Sequence, residues 1–225
     1  MRAPLPLSCD PMSMMNDGPS ITDSGEIVWS QDNGSGARIV SNQRGQLTFT
    51  CPVAGMHGSA EISNSGNISF IADNGGVGSV YKLGNNPPVE EPPSGSLCDD
   101  VTDLTEVYSS GSMLSGASMN DFGESVWAEY EGGAGHSQIY SSVRGQLTYD
   151  SVDHSKPSIN KYGDVAWEEY DTYSYTRNIR GIIDGQSIQL TSGVDDRSPS
   201  INDKGEVVYI RNDGMYDQIY STWKG

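Results

Sequence analysis

The segment "PSINDKGEVVYI" at residues 199–210 decides the fold, because the chain contains five versions of it. The other four are "PSITDSGEIVWS" (19–30), "AEISNSGNISFI" (60–71), "ASMNDFGESVWA" (117–128) and "PSINKYGDVAWE" (157–168). One glycine aligns all five, and successive copies lie 41, 57, 40 and 42 residues apart: Gly25, Gly66, Gly123, Gly163 and Gly205. A repeat of about 40 residues is typical of an array in which neighbouring units share a continuous core.

Each repeat predicts four short strands. A strand that ends in Ile or Met leads through a polar turn to a second strand, which carries an aromatic residue at one fixed place: Trp29, Phe70, Trp127, Trp167 or Tyr209. A third strand carries an apolar pair such as Ile219-Tyr220, and a fourth reads Gln-Leu-Thr, as at 146–148. Four antiparallel strands per repeat predict an all-β fold, a β-propeller of five four-stranded blades. We expect the aromatic residues to fill the space between blades.

A single domain spanning 1–225 accommodates these repeats. The predicted blades cover about 17–51, 58–108, 115–150, 155–192 and 197–225. The spacing of 57 comes from a proline-rich insertion at 85–103, where four of the 11 prolines lie between Pro87 and Pro93. Proline lacks the N–H of a ladder strand, so this insertion is predicted to be a loop within the second blade. A linker between two sub-assemblies and a partner-binding lip are the alternatives.

The fifth repeat ends at Gly225, before a fourth strand. The N-terminal stretch "PLPLSC" (4–9) resembles the fourth strand "QLTFTC" (46–51) and precedes the first repeat at a matching distance. We therefore predict that Leu5, Leu7 and Cys9 belong to a closure strand that completes the last blade. The same strand could instead complete the last blade of a neighbouring molecule, which would give a head-to-tail polymer.

The repeats resemble the WD40-like repeats of the TolB type. In that type a Pro-x-[Trp/Ile]-[Ser/Asn]-x-x-Gly turn precedes a hydrophobic strand, an Ile-Tyr strand and a Leu-Thr strand. Residues 198–210 with Ile219-Tyr220 match this pattern best, and residues 156–167 with "IQLT" (188–191) come next. The resemblance covers nearly the whole chain except 85–103. It implies a propeller fold and leaves the ligand undefined.

The net charge of −17 and the pI near 4.3 exclude some classes of partner. Nucleic acid and anionic membrane surfaces attract clusters of Lys and Arg, and this chain has 13 such residues against 30 Asp and Glu. No apolar run reaches the roughly 18–20 residues that span a bilayer. Abundant Ser, Gly, Asn and Tyr favour an extracellular or periplasmic location, although residues 1–11 show no signal peptide.

Two sets of candidate site residues follow from the loops. Asp17, Asp153, Asp195 and Asp196 precede the first strands of their repeats and could hold Ca²⁺, which takes six to eight oxygen ligands. Turn formation by these aspartates is the alternative. Tyr170, Tyr173, Tyr175 and Arg177 lie in or beside the most aromatic polar loop and are predicted to contact a protein or a sugar. The three histidines (His57, His136 and His154) are predicted in loops, without the spacing of a zinc site.

These observations predict a non-catalytic binding or assembly scaffold with no cofactor other than Ca²⁺. Its partner would be a protein, a glycan or the chain itself. The chain has no Gly-x-Ser-x-Gly elbow. Carboxylates that follow the strand aromatics (Glu129, Glu131, Glu168, Glu169 and Asp171) recur with the repeat, so no paired acid and base stand out. A head-to-tail structural protein, a lectin and a glycan-acting enzyme are the alternatives.

Overall fold

A computed structural model describes residues 16–32, 37–48, 56–74, 76–84, 104–192, 195–212 and 214–222. Within these ranges the regular structure is all β, with no helix. None of these residues therefore forms a helix of the length and hydropathy that a bilayer crossing requires. The closure strand predicted at 4–9, with Leu5, Leu7 and Cys9, and the insertion at 85–103 lie outside the described residues.

Nineteen strands in these ranges form five antiparallel units, each beginning with a strand of one sequence repeat. The first unit contains β1 (Asn16–Ile21), β2 (Ile27–Asp32), β3 (Ala37–Ser41) and β4 (Gly45–Gln46). The second contains β5 (Met56–Ile62), β6 (Ile68–Asn74), β7 (Val77–Leu83) and β8 (Leu104–Ser110). The third contains β9 (Leu114–Met119), β10 (Ser125–Glu131), β11 (His136–Ser141) and β12 (Gly145–Gln146).

The last two units share one sheet. The fourth contains β13 (Asp153–Ile159), β14 (Val165–Asp171), β15 (Thr176–Ile183) and β16 (Gln186–Gln189). The fifth contains β17 (Asp195–Ile201), β18 (Val207–Asn212) and β19 (Asp217–Ser221). A single parallel pair, Arg177 with Asp195, joins β15 to β17. Antiparallel four-stranded units that pack in chain order confirm the propeller architecture.

The core lies between successive units, because buried side chains of the second and third strands of one unit cluster with those of the first and second strands of the next. Ile139 of β11 is fully buried in a cluster with Ile159 and Trp167 of the fourth unit. Ile179 of β15 packs in the same way against Tyr209 of the fifth. The predicted role of the strand aromatics as filling between blades is therefore confirmed for Phe70, Trp127, Trp167 and Tyr209, which cluster with buried residues of the preceding unit.

A β-bulge interrupts the first strand of every unit and changes the direction of the residues that follow it. The register shifts at this place in β1, β5, β9, β13 and β17. Gly116 occupies the bulge of β9 with φ of 63°, a conformation that non-glycine residues adopt in three other units. A Cβ on Gly116 would lie 3.1 Å from Lys156 Cα, so the third and fourth units approach closely here.

The first and fifth units leave matching apolar side chains uncovered. Ile219 of β19 is 82% exposed, whereas Ile39, Ile139 and Ile179 at the same repeat position are fully buried. Ile21 at the end of β1 is 64% exposed, whereas its counterparts in the other units are at most 8% exposed. We call these two surfaces the seam.

Candidate functional site

The five units converge on one polar cavity of about 690 Å³, the central pocket. Each unit lines it with the end of its first strand and the turn that follows. The first strands reach this point because each is the innermost strand of its unit and contacts the first strand of its neighbour. Such a cavity, enclosed by equivalent loops of several repeats, is a common place for ligand binding.

One position of the repeat forms the first layer of the pocket, and four of its five members are serine. We call this layer the serine ring: Ser20, Glu61, Ser118, Ser158 and Ser200. Ser20, Ser118 and Ser158 each accept a hydrogen bond from a backbone N–H of the following unit, at 3.1–3.4 Å. These serines therefore join neighbouring units. Glu61 replaces the serine in the second unit.

Glu61 differs from the rest of the ring in charge as well as in size. Its carboxylate accepts a hydrogen bond from Ser20 Oγ at 3.2 Å. The side chain is exposed to the solvent of the central pocket, whose walls are protein. Desolvation by these walls raises the pKa of Glu61 to about 7, and the hydrogen bond from Ser20 lowers it by a smaller amount. A carboxyl group with a pKa of about 7 can hold or release a proton near neutral pH.

A second layer, the turn ring, surrounds the mouth of the pocket. Its members are Asp23, Asn64, Asp121, Lys161 and Asp203. Asp23 accepts from Asn64 Nδ2 at 3.0 Å, and Asp121 accepts from the backbone N–H of Ser65 at 3.0 Å. Lys161 forms an ion pair with Asp203 at 3.1 Å. Four carboxylates and two lysines line the whole pocket, so its charge is negative.

Glu61 was missing from the sequence-based candidates, although the sequence contains its signal. Only one of the five aligned segments carries a charged residue immediately before the apolar residue that ends the first strand. A single carboxylate at this position does not by itself indicate a site, because an acid and base pair needs two. That the position faces a pocket emerged only when the five first strands were placed around one cavity.

The predicted contact residues lie at the β14–β15 hairpin, with Tyr170 in β14, Arg177 in β15, and Tyr173 and Tyr175 on the loop between them. The guanidinium of Arg177 lies 4.9 Å from the ring centroid of Tyr170 and donates to Asp195 at 2.8 Å. Tyr173 and Tyr175 are 95% and 80% exposed. The loop thus presents two aromatic rings beside an ordered cation–π pair. Their contact with a partner stays a prediction.

The aspartates predicted as calcium ligands have separate protein contacts. Asp153 accepts from the backbone N–H of Ser137 at 2.8 Å, and Asp195 pairs with Arg177. Asp196 is fully buried and accepts two hydrogen bonds from Arg211, at 2.6 and 2.8 Å. The backbone of Asp17 pairs with Ser30, and its side chain is not described. A calcium site on these residues stays a prediction.

The expectation that the histidines lie in loops is wrong, since His57, His136 and His154 lie in β5, β11 and β13. His154 is fully buried, and its Nε2 lies 2.8 Å from Asp150 Oδ1. Its strand neighbour across the sheet is Glu169. One donor atom each from Asp150, His154 and Glu169 lie within 4.8 Å of one another. The register of β13 and β14 places Glu169 beside His154, and His154 contacts Asp150. The sequence spacing of these three residues does not indicate the cluster.

The carboxylates nominated for glycan hydrolysis lie away from the central pocket. Glu168 accepts from the backbone N–H of Ser198 at 2.5 Å and pairs with Lys156 at 3.1 Å. Glu129 accepts from Tyr108 Oη at 2.8 Å and from Ser110 Oγ at 2.7 Å. These contacts hold strands and units together.

No family model matches the chain, and no curated protein is similar to it in sequence. Among solved structures, TolB from Acinetobacter baumannii superposes with a TM-score of 0.67 at 18% identity over 92% of this chain. This chain spans about half of that one, 51%. The β-propeller domain of the Trilobed protease from Pyrococcus furiosus superposes at 0.54 with 11% identity, covering 93% of this chain and 82% of that one. The resemblance to TolB-type propellers is therefore confirmed at the level of the fold.

The expectation that the chain is not an enzyme is wrong, because most of its structural neighbours are enzymes. A gluconolactonase from Xanthomonas campestris superposes at a TM-score of 0.54 with 10% identity, over 86% of this chain and 68% of that one. A puromycin-hydrolyzing peptidase and an aldose sugar dehydrogenase superpose at 0.54 and 0.51, each at 10% identity. The missing nucleophile elbow and the missing carboxylate pair therefore do not exclude catalysis on this fold.

Proposed function

We propose that the protein is a binding module that takes a positively charged group of a partner protein into the central pocket. The observation that carries this proposal is Glu61, the single carboxylate in a ring of serines. Asp23 and Asp121 add negative charge at the mouth, where the Asn64 side chain donates to the first carboxylate and the backbone N–H of Ser65 donates to the second. A lysine, an arginine or a chain N-terminus has the charge and the hydrogen-bond donors to fit these groups.

The raised pKa of Glu61 gives this proposal a sharp test. Tetralysine with an acetylated N-terminus serves as the probe, since its side-chain ammonium groups stay charged between pH 6 and pH 8. Glu61 is mostly neutral at pH 6 and mostly charged at pH 8, so affinity for the probe rises with pH. We expect a gain of roughly two- to fivefold, the factor for a partly screened ion pair of about 0.5–1 kcal/mol.

Calorimetric titrations of wild type and two variants separate the pocket from general charge. Glu61→Gln keeps the size of the side chain and should abolish the gain between pH 6 and pH 8. Asp184→Asn is the matched control, because it removes one exposed negative charge in the β15–β16 turn, where φ of 52° suits asparagine. A Glu61→Gln variant that keeps the pH-dependent gain would refute the role of the central pocket.

A second candidate function is catalysis at the same site, with Glu61 as general acid or base. The raised pKa favours it, because proton transfer is most effective when the pKa lies near the working pH. Since a gluconolactonase shares the fold, δ-gluconolactone is the probe, followed by acid release in a pH-stat. Hydrolysis that is lost in Glu61→Gln and kept in Asp184→Asn would support catalysis. Hydrolysis at the buffer rate would exclude this reaction.

We further propose that the seam closes into a ring of five blades, with residues 4–9 as the fourth strand of the last. Two apolar surfaces support this proposal, because Ile219 and Ile21 occupy positions that are buried in every other described unit. The β-propeller domain of the Trilobed protease from Pyrococcus furiosus has an open velcro topology, and an open ring is the alternative to closure here. Closure by the neighbour's N-terminal strand would bury the same side chains and give polymers.

The setting proposed for this module is extracellular or periplasmic. Its negative charge of −17 suits recognition of basic groups. Tyr173 and Tyr175 are proposed as an additional contact for a protein or glycan. A lectin with one sugar for each blade is the competing proposal, and it predicts up to five bound ligands for each chain instead of one.

A further inference from the structure

We propose that Asp150, His154 and Glu169 form a site for a divalent transition metal such as Zn²⁺, separate from the central pocket. The three residues lie at the opposite end of the fourth unit from the turn that lines the pocket. His154 is the second residue of β13, and Glu169 is its partner in β14. Asp150 precedes β13 and contacts His154 Nε2 at 2.8 Å.

The donor set fits a transition metal better than calcium. One imidazole and two carboxylates supply nitrogen and oxygen, which Zn²⁺ accepts at about 2.0–2.2 Å. Calcium takes six to eight oxygens and has little use for an imidazole. The donor atoms lie within 4.8 Å of one another, so small side-chain movements bring all three to one ion.

Buried polar atoms without hydrogen-bond partners provide a second observation at the same place. His154 is 0% exposed, and its Nδ1 has no hydrogen-bond partner among the described residues. Glu169 is 8% exposed, and its Oε2 accepts no hydrogen bond, although Arg180 Nη1 lies 3.3 Å away. Polar atoms this deeply buried are normally satisfied. A bound ion would satisfy the carboxylate, and Arg180 would hold that carboxylate in place.

Gln138 supplies a further oxygen beside the site. Its Nε2 donates to the carbonyl oxygen of Asp150 at 2.9 Å, which fixes its amide against the turn that carries Asp150. Its Oε1 is buried without a partner, in a side chain that is 1% exposed. Asp150 is half exposed, with 51% of its side chain accessible, so an ion can enter from solvent on that side.

Zinc titration of the full chain tests the site. The protein is stripped with a chelator and its free thiols are alkylated, so that Cys9, Cys51 and Cys98 do not bind the ion. We expect one Zn²⁺ per chain at micromolar affinity or tighter, measured by competition with a chromophoric chelator. Asp150→Asn keeps the hydrogen-bond acceptor for His154 and should weaken binding at least about tenfold.

Two further variants keep the result interpretable. Asp184→Asn removes one exposed negative charge outside the cluster and should bind Zn²⁺ within about twofold of wild type. Glu169→Gln should weaken binding as Asp150→Asn does, with an unchanged near-ultraviolet circular dichroism spectrum as evidence of folding. Equal affinity in wild type and Asp150→Asn, or no stoichiometric binding to folded wild type, would overturn the proposal.

Discussion

Replacing Ile219 by alanine tests whether the seam is closed in solution. An open seam leaves this side chain 82% exposed, and an exposed substitution changes the free energy of unfolding by less than about 0.5 kcal/mol. A closed seam buries it as Ile139 is buried, against the strands of the next unit. Truncation of a fully buried isoleucine to alanine costs about 2–5 kcal/mol. The two cases differ by at least about 1.5 kcal/mol.

The assay is urea denaturation followed by tryptophan fluorescence, with Ile139→Ala as the internal reference. We expect Ile219→Ala to cost about 2 kcal/mol or more, close to the cost of Ile139→Ala. Removing residues 1–10 should abolish most of the cost of Ile219→Ala, because the deletion removes the strand proposed to cover it. A cost below about 0.5 kcal/mol in the full chain, beside a large cost for Ile139→Ala, would refute closure. Light scattering at several concentrations then separates closure within one molecule from closure between molecules.

Three further predictions concern single contacts. We expect Glu61→Gln to have a higher melting temperature than wild type. The difference should be absent below pH 4.5, should grow up to about pH 7 and should be constant above it. The reason is that the Glu61 carboxyl group loses its proton at a lower pH in the unfolded chain than in the folded one. Melting by circular dichroism across this range checks it, and a pH-independent difference would contradict it. Arg211→Met leaves Asp196 buried and unpaired and should cost about 3 kcal/mol in urea denaturation. Arg177→Met removes the partner of Asp195, whose side chain is one-third exposed, and should cost under about 1 kcal/mol. Equal costs for Arg211→Met and Arg177→Met would contradict this reasoning. Gly116→Ala should cost about 1–2 kcal/mol through its φ of 63° and its close approach to Lys156, whereas Gly133→Ala, with open space around it, serves as the control.

The repeat made most of the fold predictable from the sequence. The aligned glycine, the aromatic residue of the second strand and one apolar residue of the third strand each occupy the same place in every repeat, so the five repeats reinforced one another. The fourth strand of the second unit is β8 (Leu104–Ser110), which pairs with β7 despite the long insertion between them in the sequence. The fourth strands β4 and β12 are only two residues long, because beyond Gln46 and Gln146 the edge is held through a threonine hydroxyl in place of a ladder.

The sites were harder to predict, because they depend on contacts between residues far apart in the sequence. Asp196 was predicted as a metal ligand, yet the register of β17 and β18 brings it to Arg211. Neither His154 nor Glu169 stands out by spacing, and only their pairing across two strands joins them. Such pairs follow from the register, which a local pattern of apolar and polar residues does not specify at this level of detail.

The serine ring also has a consequence for how a partner is oriented. Five equal units would offer a partner five indistinguishable rotational settings about the central pocket. Glu61 removes that degeneracy, because a cationic group is attracted to one position among the five. A partner bound as proposed would dock in a single rotational setting and in a ratio of one to one. The repeat thus sets the arrangement of the five units around the pocket, and the one glutamate in the serine ring, Glu61, sets the orientation of the proposed partner.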